Sequence, residues 1–468
     1  MEPLPDAIWA DASQFSCNFS NDDIQCSEIQ GQRELRIAID DVICILPHAS
    51  QDGKNYNMLY LRNGPKEATS VPRGDCRSSL ASIQLVSPPS TLLSRYFCAE
   101  LPHHLKPSVD RAIDLHVIIS APSGTGKAKN FFRNIVQPFL AHIGLTEYEV
   151  HETQSARSIL ELCQSRLIGR AKLGFPQTIV LLSGDGGLND IVDSFHSAVG
   201  VSLVPPIVAL IPMGTGNAMA SSLGLLSRPT AGLTVLLKGS PKPIPTLVAN
   251  FSPGAQYVTD EGRTLIPMLD SSMTQSSVNP IHGVVVASWG FHAALVADSD
   301  TSEYRRFGAE RFQMAAKELL FPSSGVDTHR YKGNITLFRS NIATNENSVE
   351  TLECGEHMYV LATLVPRLEK NFIISPESVA LDGRLRIIHF GAVSAEKAMQ
   401  LMSLAYDGGR HVHESSVLYT EVEGFRIDFH EAEQKWRRVC IDGKIVIVGE
   451  DGWMEVLKGS TDRVNILV

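Results

Sequence analysis

The chain has 468 residues, 43% of them hydrophobic and 20% charged, and a formal net charge of −10. That length predicts two to three domains with sizeable cores. The acidic balance excludes a general nucleic-acid binder, which needs a basic face. Eight cysteines lie scattered without a CxxC pair, so free thiols are expected and a zinc site is not. The opening MEPLPDAIWADASQ has no basic or apolar signal region, and the longest apolar run, 284–297, is short of the ~20 residues that span a bilayer. A cytoplasmic protein with only peripheral membrane contact is expected.

Residues 1–110 hold short alternating segments, such as 35–46 and 56–63, between Gly and Pro clusters. They predict a small β-rich N-terminal module whose polar start, about the first 30 residues, is loose. At 113–120, IDLHVIIS is an apolar run ending in the glycine loop of SAPSGTGKAKNFF (120–132). This is not a Walker A loop: the template G-x-x-x-x-G-K-[ST] would place its first glycine at Ala121 and its magnesium-binding hydroxyl at Ala128. Lys127 reads as a solvated charge at the helix start. Phe131, Phe132, Ile135, Val136, Phe139, Leu140 and Ile143 then share one helix face. Strands at 148–153, 177–183 and 206–212 alternate with helices at 155–171, 188–199 and 217–226. The pattern predicts a Rossmann-like α/β domain over 111–245, with a parallel sheet that binds ligand beyond the carboxyl ends of its strands. At those ends stand PSGTG (122–126), SGDGG (183–187) and MGTGN (213–217). Each lets backbone N–H groups approach a phosphate at a helix start.

Beyond about residue 245 strand-like segments dominate, at 283–289, 334–340, 357–365, 385–390, 425–430 and 444–449, with one helical stretch around 303–321. They predict a β-sandwich domain over 246–468, with the Ser-rich 252–280 as a surface insertion. Within SGDGG, Asp185 is either the acid of an Asx turn or a general base exposed by the turn. Asp190 either reaches Mg²⁺ through water or simply suits the helix dipole of the first turn.

Three stretches carry a family resemblance. SGDGGLNDIVDS resembles the GGDGT-type motif of the diacylglycerol kinase catalytic family. IPMGTGNAMASSLGL resembles its P-x-G-[ST]-G-N motif, in the Ala-rich form of sphingosine kinases. SWGFHAALVADSDTSEYRRFGAERF, at 288–312, is similar to the W-G-F…D…YRR-x-G-x-x-RF segment of sphingosine and ceramide kinases. The resemblance spans 113–468 and implies a nucleotide domain followed by a β-sandwich lipid domain. It also implies a lipid kinase that uses ATP and Mg²⁺ to phosphorylate the primary hydroxyl of a sphingoid base. By position it makes Asp185 the proton acceptor, with Ser183, Gly184 and Gly186 on the substrate side. Gly214, Thr215 and Gly216 match the ATP loop; Ala121, Pro122, Ser123, Gly124, Glu152, Thr153 and Asp190 match further nucleotide positions. Arg305 and Arg311 match two phosphate-holding arginines. Six residues apart on a continuous helix they would point ~120° away from each other, so they converge only if Gly308 breaks the helix. The acid that binds the substrate amine falls at Asp298, counting back from Tyr304, with Asp300 in reserve.

The chain also departs from the family pattern. Ala121 stands for an asparagine, Asp190 for a glutamate, and Asp442-Gly443-Lys444 for D-G-E. The T-E…H-A element lacks its histidine. Lys444 either reaches a phosphate or marks decay of the ATP site. The alternatives are a ceramide or diacylglycerol kinase and a non-catalytic lipid- or nucleotide-binding relative.

Overall fold

Strand Gln177–Ser183 is buried at every position, and so is Asp114–Ile119. Strands with both faces covered need no polar alternation. In a computed structural model, which describes residues 9–20, 22–48, 55–62, 78–106, 114–121, 124, 126–198, 202–268, 278–308, 310–341 and 346–468, both lie inside one six-stranded sheet. Its order is Pro241–Pro243, Asn465–Leu467, Ile207–Pro212, Gln177–Ser183, Asp114–Ile119, Glu149–Glu152. Only the pairing of Pro241–Pro243 is antiparallel.

The period of two along the central strands divides their side chains between two cores. Val180 and Leu182 pack with Phe132, Phe139 and Leu236 on one face. Ile179 and Leu181 pack with Leu167, Leu188 and Val192 on the other. The helical face expected from Phe132 to Ile143 is therefore the one that covers the sheet. The helices over 128–142 and 158–172 each carry a π turn, at Phe132–Val136 and Cys163–Leu167. The helix expected at 217–226 is only Ala218–Ser222.

The N-terminal module is a second six-stranded sheet. Of the polar start expected to be loose, residues 1–8 lie outside the described residues, and Trp9–Phe19 and Asp23–Glu28 form strands. Strand Trp9–Phe19 pairs with both Asp23–Glu28 and Ser79–Val86, and Phe15 is fully buried. The module seats Ile43, Leu59 and Leu80 in the core that holds Leu233 and Leu236. Thr230 Oγ1 donates to the Asp40 carbonyl across the same contact at 2.8 Å.

The rest of the chain forms a fourteen-stranded antiparallel sheet that curls on itself. Strand Tyr331–Asn341 joins its two halves, and the core between them holds Trp289, Val360, Phe425 and Phe429. Two expectations need correction here. Within 252–280, strands Gln256–Thr259 and Thr264–Pro267 form a hairpin that pairs with Lys444–Ile447, so that part belongs to the main sheet; 269–277 lies outside the described residues. The terminal strand Asn465–Leu467 returns to pair in parallel with Ile207–Pro212, so the chain ends in the first lobe's sheet. Helices Phe291–Ser299 and Ala395–Tyr406 were not expected. The apolar run 284–297 bends from strand to helix at Gly290, with φ +83°, where a Cβ would lie 2.6 Å from the Met358 carbonyl oxygen. Among the described residues no helix is long and apolar enough to cross a membrane.

Candidate active site

The three glycine loops meet at the carboxyl edge of the parallel sheet, backbone against backbone. A Cβ on Gly214 would lie 2.5 Å from the Gly184 Cα, and one on Gly124, at φ +55°, 2.4 Å from the Met213 carbonyl oxygen. Asn217 closes the third loop. Its Oδ1 accepts from Gly214 N at 2.9 Å and its Nδ2 donates to the Gly214 carbonyl at 2.7 Å. Ala121 N donates to Thr153 Oγ1 at 3.1 Å, and Lys129 Nζ holds Glu152 at 2.8 Å. Pro122 and Ser123 lie outside the described residues.

Asp185 opens helix Asp185–Ser197, and its carboxylate crosses to the third loop. Oδ2 accepts from Ala218 N at 2.7 Å and Oδ1 from Met219 N at 2.9 Å. The two amides replace the Asx turn that spacing alone allowed. Burial raises its pKa above the ordinary aspartate range, opposed by the Met219 and Ala218 amides.

A cavity of 1010 Å³ runs from these loops between the two lobes. Ser183, Gly184, Asp185, Gly186, Gly214, Thr215 and Gly216 line its polar part; Phe291, Leu295, Phe312, Phe372, Met399 and Met402 line its apolar part. Gly124, Thr153, Asp190, Asp442, Gly443 and Lys444 also border it, whereas Ala121 and Glu152 do not.

Several charges around the cavity are paired with one another. The expected helix at 303–321 is two, Ser302–Arg305 and Glu310–Leu320, separated by Gly308 at φ +59°. The break brings Arg305 and Arg311 together on Asp300, at 2.8 and 3.1 Å. Asp298, the first choice for an amine, is off the cavity wall and accepts from Arg438 at 2.7 Å. Lys444 Nζ lies 3.1 Å from Asp190 and 2.9 Å from Asp193. Burial works against its charge, but the two acids outweigh burial and hold it protonated. Its one positive charge is shared between the two carboxylates, so the trio keeps a net negative charge on the cavity wall.

Asp442 accepts from the amides of Val284, Val285 and Val286 and from Asn189 Nδ2. Burial pushes its carboxyl up to about 6 against those amides, with the Asp185 charge adding to the rise. Together with Asn189, which also donates to the His282 carbonyl at 2.8 Å, it ties the lobes at the cavity floor.

Four residues here escaped sequence reasoning. Asn217 had a signal, its place in MGTGN. Asn189 and Asp193 had a similar one, their place in SGDGGLNDIVDS, whereas Glu369 lies in none of the motifs. Glu369 lines the cavity beside Phe372, and its carboxylate accepts from Tyr406 OH at 3.4 Å. Among the described acids on the cavity wall it alone has neither a cation nor backbone amides as its partner. The neighbouring Leu368 carbonyl would lie 3.3 Å from a Cβ on Gly216, so the turn that carries Glu369 covers the third loop.

Residues 114–249 match the family model of the diacylglycerol kinase catalytic domain. Human sphingosine kinase 1 is 22% identical over 71% of this chain and 85% of its own length. Mouse sphingosine kinase 1 is 26% identical over 74% of this chain and 89% of its own. A solved diacylglycerol kinase from Bacillus anthracis str. Sterne covers 76% of this chain and 96% of its own, at 13% identity and a TM-score of 0.44. Residues 114–249 thus carry a diacylglycerol kinase catalytic domain. Along most of its length the chain is similar to sphingosine kinases.

Proposed function

We propose that the cleft transfers the γ-phosphoryl group of ATP to the primary hydroxyl of a sphingoid base. The observation that carries this is the placement of Asp185. An amide-held carboxylate with a raised pKa sits where the glycine loops meet, at the polar end of an otherwise apolar cavity. The residues present fit a nucleoside triphosphate. Gly124 and Gly214 have no room for a Cβ, so bare backbone packs where the loops meet and its N–H groups can approach phosphates directly. Arg305 and Arg311, positioned by Asp300, add the charge that phosphoryl transfer demands. ATP supplies the phosphoryl group. The substrate oxygen forms the new P–O bond, the bond to the β-phosphate oxygen breaks, and the hydroxyl proton passes to Asp185. Mg²⁺ carried with the ATP would add positive charge to the phosphates, and Asp190, which shares the Lys444 ammonium with Asp193, would be the acid to hold it through water.

The sphingoid amine needs an acid, and Asp298 and Asp300 are both committed to arginines. Glu369 takes that role in this reading, with the acyl chain among Phe372, Met399 and Met402. Exposed Phe307, Met314 and Phe321 on the helical rim provide the apolar surface for peripheral contact with the membrane that supplies the lipid.

The test is phosphate transfer from ATP by purified protein to sphinganine, ceramide and diacylglycerol. Sphinganine is expected to be preferred. Asp185→Asn should lower kcat by about 10²–10⁴-fold, and Glu369→Gln should raise KM for sphinganine while leaving ceramide turnover unchanged. Preference for ceramide or diacylglycerol would assign the chain to that neighbouring activity. ATP binding without transfer to any lipid would make it a non-catalytic relative.

A further inference from the structure

Away from the cleft, Cys354, His357 and His389 converge where strands Glu356–Thr363 and Leu385–Gly391 pair. Cys354 Sγ lies 3.6 Å from His357 Nδ1 and 4.0 Å from His389 Nε2, and the two ring nitrogens are 2.9 Å apart. We propose that these three side chains form a zinc site with a fourth, solvent-facing position.

Geometry carries the proposal. With Zn–N near 2.05 Å and Zn–S near 2.3 Å, a tetrahedron has N···N edges of roughly 3.3 Å and S···N edges of roughly 3.6 Å. The observed triangle needs adjustments of only a few tenths of an ångström. His357 is fully buried, and its Nε2 donates to the Gly333 carbonyl at 2.9 Å. That bond fixes the tautomer and leaves the Nδ1 lone pair aimed at the other two ligands, the role of an outer partner in a metal site. His389 is 5% exposed.

The backbone supports the same arrangement. His389 is paired with Val360, which in a regular ladder would place His357 on the opposite face. The register shifts between His357 and Tyr359, so that His357 instead opposes Gly391, on the face of His389. Bulges re-aim side chains in this way next to sites. Cys354 is exposed, three residues before His357, and completes the triangle from the loop. The other compact histidine cluster, His116, Glu149 and His151, has its carboxylate bound by Arg166, whose charge opposes a cation there.

The test uses the reduced, full-length protein, stripped of metal by a chelator and titrated with Co²⁺. One equivalent should give the intense visible bands of a tetrahedral ion and a thiolate charge-transfer band, all displaced by one equivalent of Zn²⁺. Cys354→Ser, an exposed substitution that keeps the fold, should abolish the charge-transfer band and weaken Zn²⁺ binding by at least tenfold. Absence of stoichiometric tetrahedral Co²⁺ in wild type, or an unchanged band in Cys354→Ser, overturns the proposal.

Discussion

Lys444 stands where the resembling family has a glutamate, and its ammonium bridges Asp190 and Asp193 at the cavity wall. Two acids of one helix, three residues apart, lie on the same face. Without Lys444 they would face each other at low exposure with no counter-charge. Removing one partner of such a buried network is costly because the others keep their desolvation penalty. Lys444→Ala should therefore destabilise the protein by about 3 kcal/mol, measured by urea unfolding followed by tryptophan fluorescence. Unchanged stability would show that water already solvates the two acids. Position alone offered two readings of Lys444, a phosphate ligand or decay of the site. Its actual partners lie on helix Asp185–Ser197, far back along the chain, and no local motif announces them.

At the scale of elements, the glycine loops could be read in advance and their mutual contact could not. Each announces itself because a buried strand, a tight turn and a helix start follow one another in the chain. That Gly214 lies against Gly184, and Gly124 against Met213, depends on how adjacent strands of the sheet bring their ends together. Gly214→Ala places a methyl 2.5 Å from the Gly184 Cα, so one loop must move. The expected outcome is a rise in KM for ATP of at least tenfold, with secondary structure unchanged by circular dichroism. An unchanged KM would remove this loop from the nucleotide site. The rim helix shows the same division. The segment at 303–321 has helical composition throughout, and only the positive φ of Gly308 splits it and turns both arginines onto Asp300.

At the scale of the whole molecule, burial of histidines sets the pH response. Burial is the leading cause that holds His196, His292 and His411 at about 4. An unfolded histidine titrates near 6.5. Below that value the unfolded chain binds protons that the folded one refuses, so the stability these residues contribute is present above pH 6.5 and is lost as pH falls toward 4. Asp442, raised to about 6, works in the opposite direction, but only as pH falls below about 6. Between pH 7.5 and 6 the histidines decide the sign. Tm should fall across that interval in a thermal scan, and a Tm that rises instead would show that these rings are protonated in the folded state.

What the sequence determined by itself was local or periodic. The period of two in the strands, the apolar faces of the helices, the glycine turns and the order of the kinase-like motifs all follow from backbone sterics and burial among near neighbours in the chain. Tertiary structure alone decided which charges meet. It committed Asp298 to Arg438 and Asp300 to two arginines, left Glu369 on the cavity wall without a cation, and brought His389 to His357 through one irregular pairing. It also returned the final strand to the first lobe's sheet. The reason is physical: steric and hydrophobic patterns act through spacing along the chain, whereas ion pairs and ligand sets act through distances in space, which exist only once the strands have chosen their neighbours.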